Sequence, residues 1–152
     1  MSGTETAIMW VYDDGGRAAA GYKGKTGDCA VRATAIASGR PYREIYERIN
    51  ELAKRERRGK RKKTVSNART GVHRVTMQRL MEELGATWTA TMGIGTGCTV
   101  HVAMNELPAG RLVLSLSRHY AAVIDGVLYD SHDSSREGTR CCYGYWTLPE
   151  PD

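Results

Sequence analysis

The chain has 152 residues, 41% of them hydrophobic and 26% charged, with a formal net charge of +5. That length suits one domain, residues 1–152, able to bury a core without staples; the composition is that of a soluble globular protein, and no apolar run approaches the roughly 20 residues of a membrane span. MSGTETAIMWVYDD has neither a basic n-region nor an apolar h-region, so no secretory signal is expected. The expected compartment is therefore the cytoplasm, where Cys29, Cys98, Cys141 and Cys142 would stay mostly reduced.

Residues 1–26, rich in Gly, Asp and Ala, read as an irregular arm with one short strand at IMWVY. From Asp28 to Ser38 small and β-branched residues run without a breaker, and Gly39 stands where a left-handed glycine would stop a first helix. Pro41 suits the first turn of a second helix, along which Tyr42, Ile45, Tyr46, Ile49, Leu52 and Ala53 keep helical spacing. The basic loop 54–63 follows, KRERRGKRKK. Its Lys54, Arg55, Arg57, Arg58, Lys60, Arg61, Lys62 and Lys63 face a single Glu, so the rest of the chain is net acidic. Such a block can grip nucleic acid by counterion release, although a solvated, self-repelling loop has the same composition.

Met77, Leu80, Met81 and Leu84 define a third helix, with Thr76 as its candidate N-cap and Gly85 as its stop. TWTATM alternates like a strand, and TVHVAMNEL places Val100, Ala103, Met104 and Leu107 at helical offsets before Pro108 and Gly110, while its β-branched residues also suit a strand. MGIGTG lacks the Lys-Ser or Lys-Thr of a phosphate loop and reads as a surface loop. From Arg111 onward RLVLSLS, HYAAVI, VLYDS and CCYGYWTL are four short β-rich pieces. Helices first and an antiparallel sheet afterwards make an α+β fold.

Asp125-Gly126 between two apolar runs is a two-residue hairpin signal, because a type I′ turn needs positive φ at both positions. Counting outward pairs Ile124 with Val127, Val123 with Leu128, Ala122 with Tyr129, Ala121 with Asp130, and His119 with His132. His119 and Asp130 then share a face as diagonal neighbours. Their backbones lie roughly 7 to 8 Å apart, which an imidazole–carboxylate hydrogen bond can span. The carboxylate would fix the ring's tautomer and leave its second nitrogen for a proton donor. Cys29 precedes a convincing helix, and a thiol at a helix N-terminus beside an imidazolium is the donor such chemistry favours. Taken alone, a Cys in a small-residue helix is more often a buried hydrophobe.

GDCAVRA at a helix start, RHYAAVIDG on a later strand and the acid of VLYDSHD on the next resemble the papain-like cysteine peptidase superfamily, and within it small phage- and prophage-encoded proteins. The likeness covers about Gly21 to Trp146. It implies an N-terminal helix carrying the nucleophile Cys29, packed on an antiparallel sheet carrying the base His119 and its orienting partner Asp130. Thiolate attack on an amide or isopeptide carbonyl of a peptide or protein, without a cofactor, is the implied reaction, set in the host cytoplasm for a phage-encoded chain.

Two departures stand out. AGYKGKTGDC lacks the Gln that many members carry before the cysteine, so the oxyanion falls to the Cys29 backbone N–H and to Lys23, Lys25 or Thr26 as second-donor candidates. Asp28, directly before the nucleophile, disfavours thiolate unless its side chain turns back to cap the helix. His132, directly across from His119 in this register, is either a substitute partner or a rim residue, and Asp133 is a second acid on the same loop. Cys98-x-x-His101 has ligand-like spacing, but no second ligand pair completes a zinc knuckle, so no metal site is assigned. Cys141 and Cys142 should open the last strand, one facing the core. Two further readings keep the fold without chemistry: a binding module that uses the 54–63 block toward nucleic acid or an acidic protein, and a phage structural or assembly component.

Overall fold

The computed structural model describes residues 7–57 and 64–151. Three helices, α1 (Cys29–Ser38), α2 (Tyr42–Ala53) and α3 (Arg74–Glu83), accompany six strands: β1 (Met9–Tyr12), β2 (Thr87–Ala90), β3 (Arg111–Leu116), β4 (His119–Ile124), β5 (Val127–Asp130) and β6 (Gly144–Leu148). They form one sheet in the order β1-β5-β4-β3-β6-β2. The architecture is α+β. Among the described residues no helix is long and apolar enough to cross a membrane.

The sheet separates two apolar clusters. On one side the small residues of α1 (Ala30, Ala33, Ala37) let that helix approach β3 and β4 closely, while Ile45, Ile49 and Leu52 of α2 and Met77, Leu80 and Met81 of α3 complete the layer against Val113, Ala122 and Trp146. Trp146 is fully buried, and truncating such a side chain costs on the order of 3–5 kcal/mol. Its indole N–H donates to Gln78 at 3.1 Å, and the Trp88 ring packs on it at 4.6 Å. Gly144 makes that packing feasible, because a Cβ there would collide with the Trp88 ring. The opposite cluster holds Leu112, Leu114, Leu116, Ala121, Val123 and Leu128 from the sheet, with Ile8, Val102 and Cys142 from flanking segments.

The β4–β5 hairpin has the expected register, with Ala122 opposite Tyr129, Val123 opposite Leu128 and Ile124 opposite Val127. Asp125 and Gly126 have φ of 49° and 80°, as a type I′ turn demands. Gly39, at φ 72°, ends α1 by donating to Ala35.

Other expectations need correction. The short strand expected at IMWVY forms as β1, but it joins the sheet edge parallel to β5, so the sheet is mixed rather than antiparallel. Pro41 sits just before α2 instead of within its first turn. Thr76 does not cap α3, which begins two residues earlier after His73; its buried hydroxyl donates to Glu56 instead. TVHVAMNEL is not helical. His101 bridges to Cys141, Val102 N–H donates to the Arg140 carbonyl, and Asn105 takes a positive φ of 67°, so β-branched Thr99, Val100 and Val102 follow an extended path tied to the segment before β6. Cys98 and Cys141 form a disulfide across 43 residues of sequence, contrary to four reduced thiols. Cys141 and Cys142 precede β6 rather than open it, with Cys142 fully buried.

Candidate active site

The first turn of α1 and the open end of the β4–β5 hairpin meet. Asp28, the residue before the helix, has φ −94° and ψ 24°. The N–H groups of Cys29, Ala30 and Val31 have no acceptor in the helix, as at any helix start; Arg32 is the first to bond back, to the Asp28 carbonyl at 3.0 Å. The approach to this turn is pinned. Gly27 N–H donates to the Arg69 carbonyl at 2.6 Å, so closely that a Cβ at Gly27 would lie 3.0 Å from the Thr70 carbonyl oxygen.

His119 opens β4 and Asp130 closes β5. The paired ladder of the hairpin ends at Ala122–Tyr129, so both residues lie just beyond it, each still paired on its other side, His119 with Leu116 of β3 and Asp130 with Tyr12 of β1. Ala121 and Val123 pack away from the helices, whereas His119 reaches the thiol of α1. Its Nε2 lies 2.7 Å from Asp130 Oδ2, which leaves Nδ1 as the nitrogen available to the Cys29 thiol on the same cavity. Asp130 is itself held from several directions. Ser134 Oγ donates to its Oδ2 at 2.9 Å and the Ser131 N–H to its Oδ1 at 2.7 Å; its carbonyl accepts from the Trp10 indole and the Asp13 N–H, each at 3.0 Å. β1 thus buttresses the acid.

Electrostatics follow from these contacts. Burial alone would push the Cys29 thiol up, but the hydrogen bond and charge of His119, the Tyr120 backbone N–H and the Arg32 guanidinium together bring it below its ordinary value. Burial likewise opposes a charged His119, yet the hydrogen bonds to Asp130 and Cys29 outweigh it and raise the imidazole to about 9. Burial would raise the Asp130 carboxyl, and the His119 hydrogen bond and charge, with Ser134 and Ser131, hold it lower. All three directions favour thiolate, imidazolium and carboxylate in series.

Asp28 does not cap the helix. Its buried carboxylate accepts from the Tyr42 hydroxyl at 2.5 Å, pairs with Arg32, and lies 3.6 Å from Arg17 Nε. The charge that would oppose a thiolate is thereby met by two guanidinium groups. Arg32 continues toward Asp130, its Nη2 lying 3.8 Å from Oδ1. Neither Arg32 nor Ser134 is singled out by the sequence reading, although a local signal was there: each lies four residues from an acid it engages, Arg32 from Asp28 and Ser134 from Asp130.

A cavity of about 490 Å³ opens over the thiol, lined by Cys29, His119, Thr26, Gly71, Tyr120 and His132 among others. Of the second-donor candidates, Lys23 and Lys25 do not line it; Thr26 does, but its hydroxyl donates to the Arg69 carbonyl at 3.0 Å. His132 stands beside the pair rather than in it. Its ring is 5.2 Å from that of His119, and its Nδ1 is 3.9 Å from Asp130 Oδ1. The ligand atoms of His119, Asp130 and His132 lie within 4.8 Å of one another, close enough for one ion, but His119 Nε2 is already committed to the carboxylate and Arg32 adds positive charge there. Cys98 is bound in the disulfide, and His101 pairs with Glu106 at 3.0 Å. A wider groove of about 710 Å³ between α2 and α3 is lined by Arg40, Glu44, Arg48 and Glu83, and presents neither thiol nor imidazole.

Of the basic loop, Lys54, Arg55 and Arg57 are exposed, with Lys54 paired to Glu51 at 3.0 Å. Arg58, Lys60, Arg61, Lys62 and Lys63 lie outside the described residues. The chain has no significant match among protein-family models, curated proteins or solved structures.

Proposed function

We propose that the chain is a thiol hydrolase or acyltransferase of papain-like type, acting on an amide or isopeptide bond, with Cys29 as nucleophile, His119 as general base and acid, and Asp130 as orienter. One observation carries this reading: an imidazole held through one nitrogen by a buried carboxylate lines the same cavity as a thiol at a helix N-terminus.

In the reaction the Cys29 thiolate attacks the carbonyl carbon, forming the C–S bond and moving an electron pair onto the oxygen. The unpaired N–H groups of the first turn of α1 supply the nearest backbone donors for that oxyanion. Collapse breaks the C–N bond as imidazolium His119 transfers its proton to the leaving amine. Water, or another acceptor, then attacks the acyl-enzyme while His119 takes its proton; the C–S bond breaks and the thiolate returns. Asp130 keeps the ring aimed through both halves.

Iodoacetamide alkylation of Cys29 against pH tests the reading. Reactivity should persist below the ordinary thiol range, and His119→Ala should return it to a titration near about 8.5. An identical profile in both proteins would remove the proposal.

A further inference from the structure

The cavity over Cys29 is charged unevenly. Two carboxylates border the site, and both are buried and engaged: Asp28 by Arg17, Arg32 and Tyr42, and Asp130 by His119, Ser131 and Ser134. Most of the cations are engaged as well. Arg32 serves the two acids, and Arg140 donates to the Ser117 carbonyl at 2.7 Å and the Ser134 carbonyl at 3.3 Å. Arg118 differs. It lines the cavity, is exposed, and has no carboxylate partner among the described residues. It also stands directly before His119 in the two-residue turn that joins β3 to β4, held at φ 54°. The turn that delivers the imidazole therefore also delivers an unneutralised guanidinium to the same mouth, beside a helix N-terminus that itself favours anions.

We propose that this site selects an acyl compound bearing a carboxylate next to the carbonyl that Cys29 attacks, and that Arg118 is the residue that recognises it. The inference deepens the thiol-hydrolase reading and rests on it for the identity of the substrate. The anion preference itself is read on the thiol whether or not the thiol turns over. An acidic peptide is the substrate class that fits: its carboxylate engages Arg118 without displacing any existing ion pair, whereas a cationic group would meet Arg118 and Arg32, with no free acid among the described residues that line the cavity to receive it.

The test compares two reagents of similar size, anionic iodoacetate and neutral iodoacetamide, as the ratio of their second-order rate constants at Cys29. Arg118→Gln should lower that ratio roughly threefold at low ionic strength, an effect that salt diminishes. Arg118→Lys should restore most of it, and Arg55→Gln, which removes one exposed charge elsewhere, should leave it unchanged. An unchanged ratio in Arg118→Gln, or an equal fall in Arg55→Gln, would overturn the proposal. Loss of the His119 dependence of iodoacetamide labelling would instead sink the catalytic reading and leave the ratio interpretable. Protection of Cys29 by blocked peptides assigns the source of the carboxylate: an acidic side chain with an amidated terminus, or a neutral peptide with a free C-terminal carboxylate. Protection by neither counts against an acidic substrate.

Discussion

Cys29, half-buried under an open cavity, and Cys142, fully buried, are both free thiols, and their environments drive them in opposite directions. Cys142 lies in the apolar cluster on the face of the sheet away from the helices, together with Leu112 and Leu114, and burial pushes its thiol up despite hydrogen bonds with the Gly144 backbone and Thr91. Cys29 is also penalised by burial, but an imidazole, a backbone N–H and a guanidinium reverse the outcome. Desolvation makes a thiol inert only when nothing cationic is buried with it. Burial penalises both thiolates, and the difference in direction comes from what each side chain faces.

The sharpest way to break this contrast is His119→Ala. It should lower hydrolysis of a responsive amide by about 10³-fold or more, and make Cys29 titrate in the ordinary thiol range, measured by activity and by alkylation against pH. Asp130→Asn should cost roughly 10²-fold or more, because the amide can hold the ring without favouring its charged form. The His119 titration, followed by NMR, should then fall from about 9 toward its ordinary value of 6.5. The sign of the linkage is fixed by the raised value. The His119 contribution to stability is complete below about 6.5 and is lost as pH climbs through about 9, and in Asp130→Asn that alkaline loss should shrink in denaturant titrations at pH 6 and pH 9.

Two perturbations of the opposite face sharpen the comparison by leaving Cys29 alone. Replacing Cys98 and Cys141 by Ser opens a loop spanning 43 residues, and chain entropy sets the loss at up to about 4 kcal/mol in urea unfolding, with the pH profile of Cys29 labelling preserved. Cys142→Ala should cost about 1–2 kcal/mol through lost packing, with no change in that profile. A shift in Cys29 reactivity in either protein would mean that the two faces of the sheet are coupled.

Much of the site could be read from the chain because it depends on local rules. Asp125-Gly126 dictates a turn, the turn dictates register, and register brings residues eleven apart, His119 and Asp130, to one end of a hairpin. Likewise Gly39 and the run of small residues define α1 with Cys29 at its start. What escaped the reading was non-local. The helix proposed for TVHVAMNEL failed because a bridge and a disulfide to the segment before β6 override its apolar spacing. Asp28 looked like an N-cap or a liability, and proved to be neither, since Arg17 and Tyr42 arrive from other parts of the chain.

The amino-acid order by itself determined the hairpin, the limits of α1 and the pairing of imidazole with acid, since each is settled by backbone sterics and side-chain alternation within a few residues. The tertiary structure alone decided that the thiol meets this imidazole 90 positions later in the chain. It also decided that Arg32 links two buried acids, and that β1 returns to brace Asp130. Those contacts depend on how α1 packs across the sheet, a long-range outcome of burying its alanine face that no short stretch of residues encodes.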